Sequence, residues 1–342
     1  MIQPPIDRLG RPLTDLRLSL TDRCNLRCTY CMPQALFGAD HRFLPRRDLL
    51  TFEEISRVAS AAARLGVTKL RLTGGEPLLR RNLAELVAML AAIPGIAETA
   101  MTSNGTLLSA EYAKALRQAG LTRLTISLDA LDAPTVATMS GSRISPQQVL
   151  RGIDHALGAG FAPLKVNMVV QAGVNEQAII PMAAHFRHMP VIVRFIEYMD
   201  VGGPQDWQRS QVLTAREIHR RLDACWPLEP FDPAPSAHVA RDYSYLDGGG
   251  TIGLIAAVSQ PFCRSCSRLR LSAQGIVHGC LFAPGVLDLR HALREEQVDD
   301  QRLIALLSGV WQRREDRYSE LRCSRPEAVK PQVKPFMGQL GG

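Results

Sequence analysis

The chain has 342 residues, of which 46% are hydrophobic and 21% are charged, a balance typical of a globular protein with a substantial core. Its formal net charge of +7 suits an anionic ligand, although a well-solvated surface would show the same excess of Lys and Arg. No run is long and apolar enough to cross a bilayer, and the first residues lack a signal-peptide core, so a cytoplasmic protein without membrane contact is expected.

Short β-like runs alternate with helix-like runs as far as Glu197. The predicted strands are Leu16–Leu20, Lys69–Thr73, Thr99–Ser103, Leu124–Leu128, Leu164–Val170 and Ile192–Glu197. The predicted helices are Thr51–Leu65, which begins with a capping box, Asn82–Ala92, Ser109–Ala119, Gln147–Ala159 and Glu176–Arg187. Regular alternation predicts a parallel sheet, and six strands suit an α/β fold with a partial, TIM-like β/α barrel.

After Val201 the pattern changes. The predicted elements there are a helix at Thr214–Ala224, a Pro-rich stretch at Trp226–Pro235, strands at Thr251–Val258 and Arg268–Ser272, and a largely helical segment at Asp288–Trp311. We therefore divide the chain into an N-terminal tail (1–12), a partial barrel (13–213), a C-terminal domain (214–330) and a flexible tail (331–342) that ends in Gly341-Gly342.

One face of each predicted barrel strand carries polar side chains. In the first strand, leucines alternate with Arg17 and Ser19, and Arg71 and Lys165 occupy polar positions of the second and fifth strands. Strands of a helix-covered parallel sheet are usually apolar on both faces. We therefore expect a polar lumen. The alternative, a set of solvent-exposed edge strands, is hard to reconcile with six strands in β–α order.

Two groups of three cysteines carry the strongest chemical signal. They are Cys24, Cys28 and Cys31 after the first strand, and Cys263, Cys266 and Cys280 in the C-terminal part. Three thiolates can ligate three irons of a cubane cluster and leave the fourth iron open to a small molecule. A structural zinc site is the alternative, but it needs a fourth ligand, for which His41 is the nearest candidate of the first group. Cys225 and Cys323 are left over and are expected to be buried or spare thiols.

A glycine pair, Gly74-Gly75, follows the second predicted strand directly and precedes Glu76-Pro77. Glycines let backbone groups approach a ligand closely, and the Glu76 carboxylate would suit a cation such as an amino group. A glycine pair after a strand is usually only a turn. Its place one β/α unit after a three-cysteine loop favours a binding site.

The first cysteine group with Tyr30, together with Gly74–Pro77, resembles the radical S-adenosylmethionine superfamily. Within it, the chain resembles the GTP 3′,8-cyclase family of molybdenum cofactor biosynthesis. The segments that carry this resemblance are Thr102–Gly105, Ser127–Leu131, Arg194–Gly202, Cys263–Leu271, Cys280 and the terminal Gly341-Gly342. The resemblance implies a lyase that converts GTP to (8S)-3′,8-cyclo-7,8-dihydroguanosine 5′-triphosphate. A 5′-deoxyadenosyl radical takes the hydrogen from ribose C3′, and the new carbon radical attacks guanine C8.

The same resemblance implies roles for individual residues. Cys24, Cys28 and Cys31 would hold one [4Fe–4S] cluster, and Cys263, Cys266 and Cys280 a second whose open iron meets guanine. Tyr30, Gly75, Ser127 and Met199 would line the S-adenosylmethionine pocket. Arg17, Arg71, Thr102, Lys165, Arg268, Leu269 and Arg270 would bind GTP, with Arg268, Arg270 and Arg17 as the catalytic residues.

Expected partners come from the resemblance as well. They are a flavodoxin or ferredoxin as electron donor, cyclic pyranopterin monophosphate synthase as the receiver of the product, and a second copy of the chain in a homodimer. The tail glycines would reach into the active site. The residues themselves also indicate a nucleotide substrate. Arg268 and Arg270 lie two positions apart and so share one face of their strand. With Arg17, Arg71 and Lys165 they make five cations that could bind a triphosphate.

Two other functions remain open from the sequence. One is a radical enzyme with an auxiliary cluster that matures a peptide, although the Arg268 and Arg270 pair favours a phosphorylated substrate. The other is a zinc- or cluster-containing regulator that binds nucleic acid through its positive charge. Such a regulator would need neither the segment Gly74–Pro77 nor a polar lumen, so we expect no nucleic acid partner.

Overall fold

Twelve strands form one continuous sheet in the computed structural model, which describes residues 4–201, 207–231, 239–322 and 335–340. The strands are β1 (Asp15–Ser19), β2 (Lys69–Thr73), β3 (Glu98–Ser103), β4 (Arg123–Ser127), β5 (Leu164–Val170), β6 (Val191–Glu197), β7 (Leu228–Phe231), β8 (Arg241–Tyr245), β9 (Thr251–Ile255), β10 (Arg268–Leu271), β11 (Ile276–His278) and β12 (Leu287–Asp288). Their order is β12-β11-β10-β1-β2-β3-β4-β5-β6-β9-β8-β7. The strands from β10 to β9 in this order pair in parallel, and antiparallel strands extend both edges. Among the described residues the sheet does not close, so the fold is a partial β/α barrel.

Helices connect the parallel strands and cover the outer face of the sheet. They are α1 (Phe52–Arg64), α2 (Leu83–Ala91), α3 (Ala110–Gln118), α4 (Ala133–Ser140), α5 (Pro146–Gly158), α6 (Ile179–Phe186), α7 (Ala215–Cys225), α8 (Leu289–Arg294), α9 (Asp300–Gln312), α10 (Tyr318–Leu321) and α11 (Met337–Leu340). The predicted capping box at the start of α1 is confirmed, since Thr51 and Glu54 satisfy each other's backbone N–H groups. None of the helices in the described ranges combines the length and apolar character that a bilayer-spanning segment needs.

All six predicted barrel strands form, each within one residue of its expected ends. The elements that sequence patterns missed are α4, α10, α11, β7, β8, β11 and β12. Strand β7 lies inside the Pro-rich stretch, where Pro230 is tolerated because β7 is the edge strand of the sheet. The segment Asp288–Trp311 holds two helices, α8 and α9, rather than one.

Strands from both sides of the predicted boundary at residue 213 share the sheet. Strand β9 pairs with β6, and β10 pairs with β1, so the C-terminal part extends the barrel at both of its edges. The division into a barrel and a C-terminal domain stays a prediction. The described part of the C-terminal tail, 335–340, includes the short helix α11, in which Gly338 and Leu340 are buried.

The two faces of the strands differ as their alternation predicts. Leu16, Leu70 and Leu124 are at most 2% exposed and belong to the hydrophobic core between sheet and helices. Arg17 and Arg71, on the opposite face, line an internal cavity. The predicted polar lumen is therefore confirmed. The buried leucines provide the free energy that holds charged side chains together on the other face.

Replacing Leu70 tests this packing. Leu70→Ala is expected to lower the free energy of unfolding by about 2–5 kcal/mol, because the fully buried side chain leaves a cavity under α1 and α2. Leu79→Ala is the matched control, since Leu79 is 42% exposed and its loss should cost about 0.5 kcal/mol or less. Urea denaturation measures both. Equal losses in the two variants would contradict the placement of Leu70.

Candidate active site

The first cysteine group lies in the loop that follows β1. Cys31 and Met32 donate their backbone N–H groups to the carbonyl oxygen of Cys28, at 3.0 and 2.9 Å, which makes a tight turn. Burial raises the pKa of the Cys28 thiol well above its usual value, and the nearby Cys31 raises it further. Three free thiols therefore lie close together in a site that disfavours their charge, and a bound cation would stabilise their thiolate forms.

The segment Gly74-Gly75 after β2 packs directly against the backbone of this cysteine loop. Gly75 donates its N–H to the carbonyl of Thr21 at 2.8 Å, and Glu76 donates to that of Arg23 at 2.8 Å. A Cβ atom on Gly75 would lie 2.1 Å from the carbonyl oxygen of Arg23 and 3.0 Å from the nitrogen of Cys24. Only glycine allows the two backbones to approach this closely.

The carboxylate of Glu76 connects β2 to the end of β3. It accepts hydrogen bonds from the backbone of Leu78 at 3.0 Å, the hydroxyl of Ser103 at 2.8 Å and the backbone of Asn104 at 2.8 Å. Burial raises the pKa of Glu76 to about 6. These contacts give Glu76 a structural role, and its expected contact with an amino group stays a prediction.

The residues predicted to bind S-adenosylmethionine lie at carboxyl ends of strands, where β/α folds place their chemistry. The hydroxyl of Tyr30 donates to Asp129 Oδ2 at 2.8 Å, just beyond β4, which ends at Ser127. Met199 follows β6 and packs with Ile196 and other apolar residues at the cavity wall. Tyr30 and Gly75 are on the side of the first cysteine loop, and Met199 reaches the cavity.

The described part of the tail packs on the first cysteine loop. The rings of Phe336 and Phe37 meet edge to face with centroids 4.7 Å apart. A Cβ atom on Gly338 would come within 2.6 Å of the sulfur of Met32 and 3.7 Å of Cys31 Sγ. Gly341 and Gly342, predicted to reach the active site, and Cys323 lie outside the described residues. Cys225 is exposed at the end of α7.

The second cysteine group borders β10 and β11. Cys266 Sγ lies 3.3 Å from Arg268 Nη2 and 3.2 Å from Arg314 Nη2. Burial alone would raise the pKa of this thiol, but the two guanidinium groups outweigh it and lower the pKa to about 6. Burial raises the pKa of Cys280. All three cysteines of this group line the cavity.

Each cysteine group offers three sulfur donors, the usual protein ligands of an iron–sulfur cluster. In the described part of the chain, no group of three or more His, Cys, Asp and Glu is arranged to bind a single metal ion. In a cubane each thiolate ligates a different iron, so its ligands need not meet at one point. The clustered free thiols and the glycine contact beneath the first loop fit a [4Fe–4S] cluster.

A cavity of about 390 Å³ lies in the lumen beside the second cysteine group. Six of the residues predicted to bind the substrate line it: Arg17, Arg71, Thr102, Lys165, Arg268 and Arg270. Leu269 is not among the lining residues. Its side chain is 1% exposed and points into the hydrophobic core, so the structure offers only its backbone to a ligand.

Strand register places three guanidinium groups in a row. Arg17 on β1 is opposite Arg270 on β10 and Arg71 on β2. Burial lowers the pKa of Arg17, and the like charges of Arg270, Arg268 and Arg71 lower it further. Burial is also the main cause that lowers the pKa of Arg71 and of Arg270 to about 10. A cavity that gathers like charges in this way is suited to a polyanion.

The adjacent row, nearer the start of the strands, alternates in charge. Asp15 is opposite Lys69, and Lys69 is opposite Glu98, with a Lys69 Nζ to Glu98 distance of 3.2 Å. Glu98 also accepts from Arg123 at 2.6 Å. The acidic side chains therefore offset part of the positive charge in this row, whereas the row of Arg270, Arg17 and Arg71 holds like charges side by side.

Sequence analysis missed several lining residues: Arg123, Arg314, Asp316, Phe262 and Phe282. Arg123 was not identified as a lining residue because the predicted fourth strand began one residue late, at Leu124. With the observed start, alternation places Arg123 beside Thr125 on the polar face. Arg194 and Lys69 also line the cavity, as their positions on β6 and β2 allow. No local pattern marks Arg314, which follows α9.

Family models match two parts of the chain. A model of the radical SAM superfamily covers residues 18–186, and one described as Molybdenum Cofactor Synthesis C covers residues 191–320. The GTP 3′,8-cyclase of Acidothermus cellulolyticus is 51% identical over 99% of this chain and 96% of its own length. That of Xanthomonas axonopodis pv. citri is 47% identical over 100% of both chains. The chain belongs to the GTP 3′,8-cyclase family.

Solved structures agree on the fold of this GTP 3′,8-cyclase family member. SuiB of Streptococcus suis bound to S-adenosylmethionine matches 93% of this chain and 69% of that chain, with a TM-score of 0.61 and 14% identity. SuiB bound to its precursor peptide SuiA matches 62% of this chain and 46% of that chain, with a TM-score of 0.51 and 18% identity, so that match spans about half of SuiB. Membership of the radical SAM superfamily implies one [4Fe–4S] cluster and S-adenosylmethionine.

Gly75→Ala tests the support of the first cysteine loop in this GTP 3′,8-cyclase family member. The added Cβ would overlap the carbonyl of Arg23, so the loop must move and about four irons per chain should be lost after anaerobic reconstitution. Gly158→Ala is the matched control, because nothing lies within 4 Å of its Cβ position and its φ is not positive. Iron analysis measures the number of irons per chain in both variants. Wild-type iron in Gly75→Ala would contradict the assigned role.

The row of arginines predicts that a polyanion stabilises the cluster-free protein. Inorganic triphosphate should raise the melting temperature, and at 100 times its dissociation constant it adds about 2.7 kcal/mol to the free energy of unfolding. Arg71→Ala should reduce this rise, whereas Arg64→Ala, which removes an exposed cation at the end of α1, should leave it unchanged. An equal rise with potassium chloride at matched ionic strength would show that the lumen does not bind the anion.

Proposed function

We propose that the chain is a GTP 3′,8-cyclase that converts GTP to (8S)-3′,8-cyclo-7,8-dihydroguanosine 5′-triphosphate, the first step of molybdenum cofactor biosynthesis. The observation that carries the proposal is the row of Arg270, Arg17 and Arg71 in an enclosed lumen beside a three-thiol group. The curated relatives with 51% and 47% identity bear the name of this activity over their full length.

Two sets of residues would hold the cofactors. Cys24, Cys28 and Cys31 would ligate the first [4Fe–4S] cluster, with Tyr30, Gly75, Ser127 and Met199 around S-adenosylmethionine, and Cys263, Cys266 and Cys280 would ligate a second cluster. When bound, the first cluster and S-adenosylmethionine supply the 5′-deoxyadenosyl radical that removes the C3′ hydrogen. The second cluster belongs to the proposal, and its support is the set of three free thiols that border the substrate cavity.

The lumen residues would bind and orient GTP. A triphosphate with three to four negative charges would be held by Arg71, Arg17 and Lys165, and Thr102 accepts a hydrogen bond from Arg71 Nη1 at 3.1 Å that fixes the direction of this guanidinium. Arg268 contacts both Cys266 Sγ and the ring of Phe262, whose centroid is 5.0 Å away, and is therefore the cation best placed for the guanine end.

The cavity walls would also keep water away from the reacting carbon. Ile196, Met199, Phe262 and Phe282 supply apolar surface between the cations and the cysteines. Exclusion of water protects a reactive intermediate and strengthens the electrostatic contacts that position the ribose. This mixture of apolar wall and few placed charges is the usual composition of a small-molecule site.

Further partners complete the proposal. The electron donor would be a flavodoxin or ferredoxin, cyclic pyranopterin monophosphate synthase would take the product, and the enzyme would act as a homodimer in the cytoplasm. A nucleic-acid regulator is less well supported, because the clustered cations line the lumen of the partial barrel together with the second cysteine group. A peptide substrate would not account for the neighbouring positive charges of Arg270, Arg17 and Arg71, which suit a polyanion.

Transfer of deuterium tests the reaction. Anaerobically reconstituted enzyme, incubated with S-adenosylmethionine, a reductant and GTP deuterated at C3′, should yield a cyclised guanosine product and 5′-deoxyadenosine that carries the label. GTP deuterated at C2′ is the matched control and should leave 5′-deoxyadenosine unlabelled. Mass spectrometry detects the product and the label in 5′-deoxyadenosine in both experiments. Absence of 5′-deoxyadenosine and of a cyclised product would refute the proposed function.

A further inference from the structure

Three charged side chains are buried together behind the second cysteine group. Arg11 is 2% exposed, Asp7 6% and Arg314 5%. Asp7 Oδ2 accepts from Arg11 Nε at 2.6 Å and from Arg314 Nη1 at 3.1 Å. Asp7 and Arg11 belong to the segment predicted as an N-terminal tail, and Arg314 lies more than 300 positions later in the sequence. Asp7 and Arg11 are thus part of the protein interior.

The two guanidinium groups donate to backbone carbonyls of all three cysteine-bearing segments, at Cys263, at Cys266 and at Gly279. Arg11 Nη1 donates to the carbonyl of Cys263 at 2.8 Å. Arg314 donates through Nε to Gly279, the residue before Cys280, at 2.7 Å, and through Nη1 to Cys266 at 2.9 Å. Arg314 Nη2 also reaches Cys266 Sγ at 3.2 Å. One carboxylate therefore organises two arginines that together hold the three ligand-bearing segments.

Other contacts fix the arginines themselves. The indole N–H of the fully buried Trp311 donates to the carbonyl of Arg11 at 2.9 Å, and the guanidinium of Arg314 lies 4.6 Å from the indole ring. Asp7 Oδ1 accepts from the backbone of Leu9 and of Arg11, both at 2.9 Å, which sets the turn that carries Arg11. Both arginines are thereby held in one orientation.

Stability alone does not account for this arrangement. Burying ions costs desolvation energy, and well-packed apolar residues of similar size often serve a core as well or better. What apolar residues could not do is donate hydrogen bonds to three carbonyls and a sulfur at fixed points. The arrangement therefore matches a need to hold the cysteine segments in place.

We infer that Asp7, Arg11 and Arg314 are positioning residues of the second cysteine group, which hold the segments of Cys263, Cys266 and Cys280 in place for metal binding. The inference rests on the proposed function in one respect, namely that these cysteines hold a [4Fe–4S] cluster. Asp7 touches no ligand itself and acts through the two arginines. Removal of its charge leaves two buried cations without their shared partner, so their hydrogen bonds to the carbonyls should loosen.

Asp7→Asn is the first test, because it keeps the shape of the side chain and removes the charge. After anaerobic reconstitution, iron and sulfide analysis should find about eight irons in the wild type and about four in Asp7→Asn. Glu315→Gln is the matched control, since Glu315 forms an exposed ion pair with Arg8 at 2.9 Å and the variant should keep about eight irons.

Arg314→Lys provides a second test that does not alter net charge. Lysine cannot reproduce the contacts of a planar guanidinium with two carbonyls and a sulfur, so the second cluster should be depleted while the first is retained. In the fraction that still carries a second cluster, potentiometric EPR should find its reduction potential shifted to more negative values, because a hydrogen bond to the sulfur ligand is lost. A purely structural role would not move this potential.

Cys266→Ala separates the two hypotheses. If Cys266→Ala keeps about eight irons, the second cluster of the proposed function is wrong. If Cys266→Ala drops to about four irons while Asp7→Asn and Arg314→Lys keep about eight and an unchanged potential, the cluster is present and the positioning role is overturned.

Discussion

Arg270, Arg17 and Arg71 lie side by side across three neighbouring strands, and the site depends on the register that puts them there. Strand β1 provides the central member, and its partner β10 comes from a segment more than 250 residues later in the sequence. Parallel pairing at this register turns residues on distant segments into neighbours on one face. The buried leucines on the other face offset the repulsion among the guanidinium groups.

Strand β1 also sets where the two cysteine groups lie. The first group follows its carboxyl end, while Cys263 and Cys266 of the second group precede β10, which runs parallel to β1 from the same starting level. The Ser267 hydroxyl donates to Asp15 Oδ2 at 2.9 Å and fixes this lower end. A strand of five residues spans about 17 Å. The cavity is lined by Asp15 and Arg17 of this strand and by the second cysteine group.

Alternation of polar and apolar residues was sufficient to place Arg17, Arg71 and Lys165 in the lumen, because the side-chain period of a strand is a local property. The same rule would have found Arg123 if the predicted strand had begun one residue earlier. Strand β7 was missed since two prolines flank or interrupt it, and only the sheet topology shows that it is an edge strand.

Other features could not be read from any local pattern. Asp7 and Arg314 form an ion pair across 307 positions, and nothing in the residues around either one distinguishes this pair from two surface charges. The docking of Phe336 on Phe37 is likewise a contact between segments that are distant in sequence. Such contacts depend on how strands and helices pack, which a single sequence reveals only through its resemblance to known families.

The charged side chains near the two cysteine groups differ, and this difference suits the two proposed small molecules. Near the first cysteine loop, the carboxylates of Asp129 and Glu76 raise the pKa of Cys28 and Cys24 respectively in addition to the effect of burial, while Arg27 opposes this effect at Cys24. Near the second group, Arg268 and Arg314 lower the pKa of Cys266. S-adenosylmethionine carries a sulfonium and an amino group, whereas GTP is a polyanion. Exchanging their positions would put a cation among arginines and a triphosphate beside carboxylates, so the charges near the two cysteine groups favour the proposed arrangement over the reverse one.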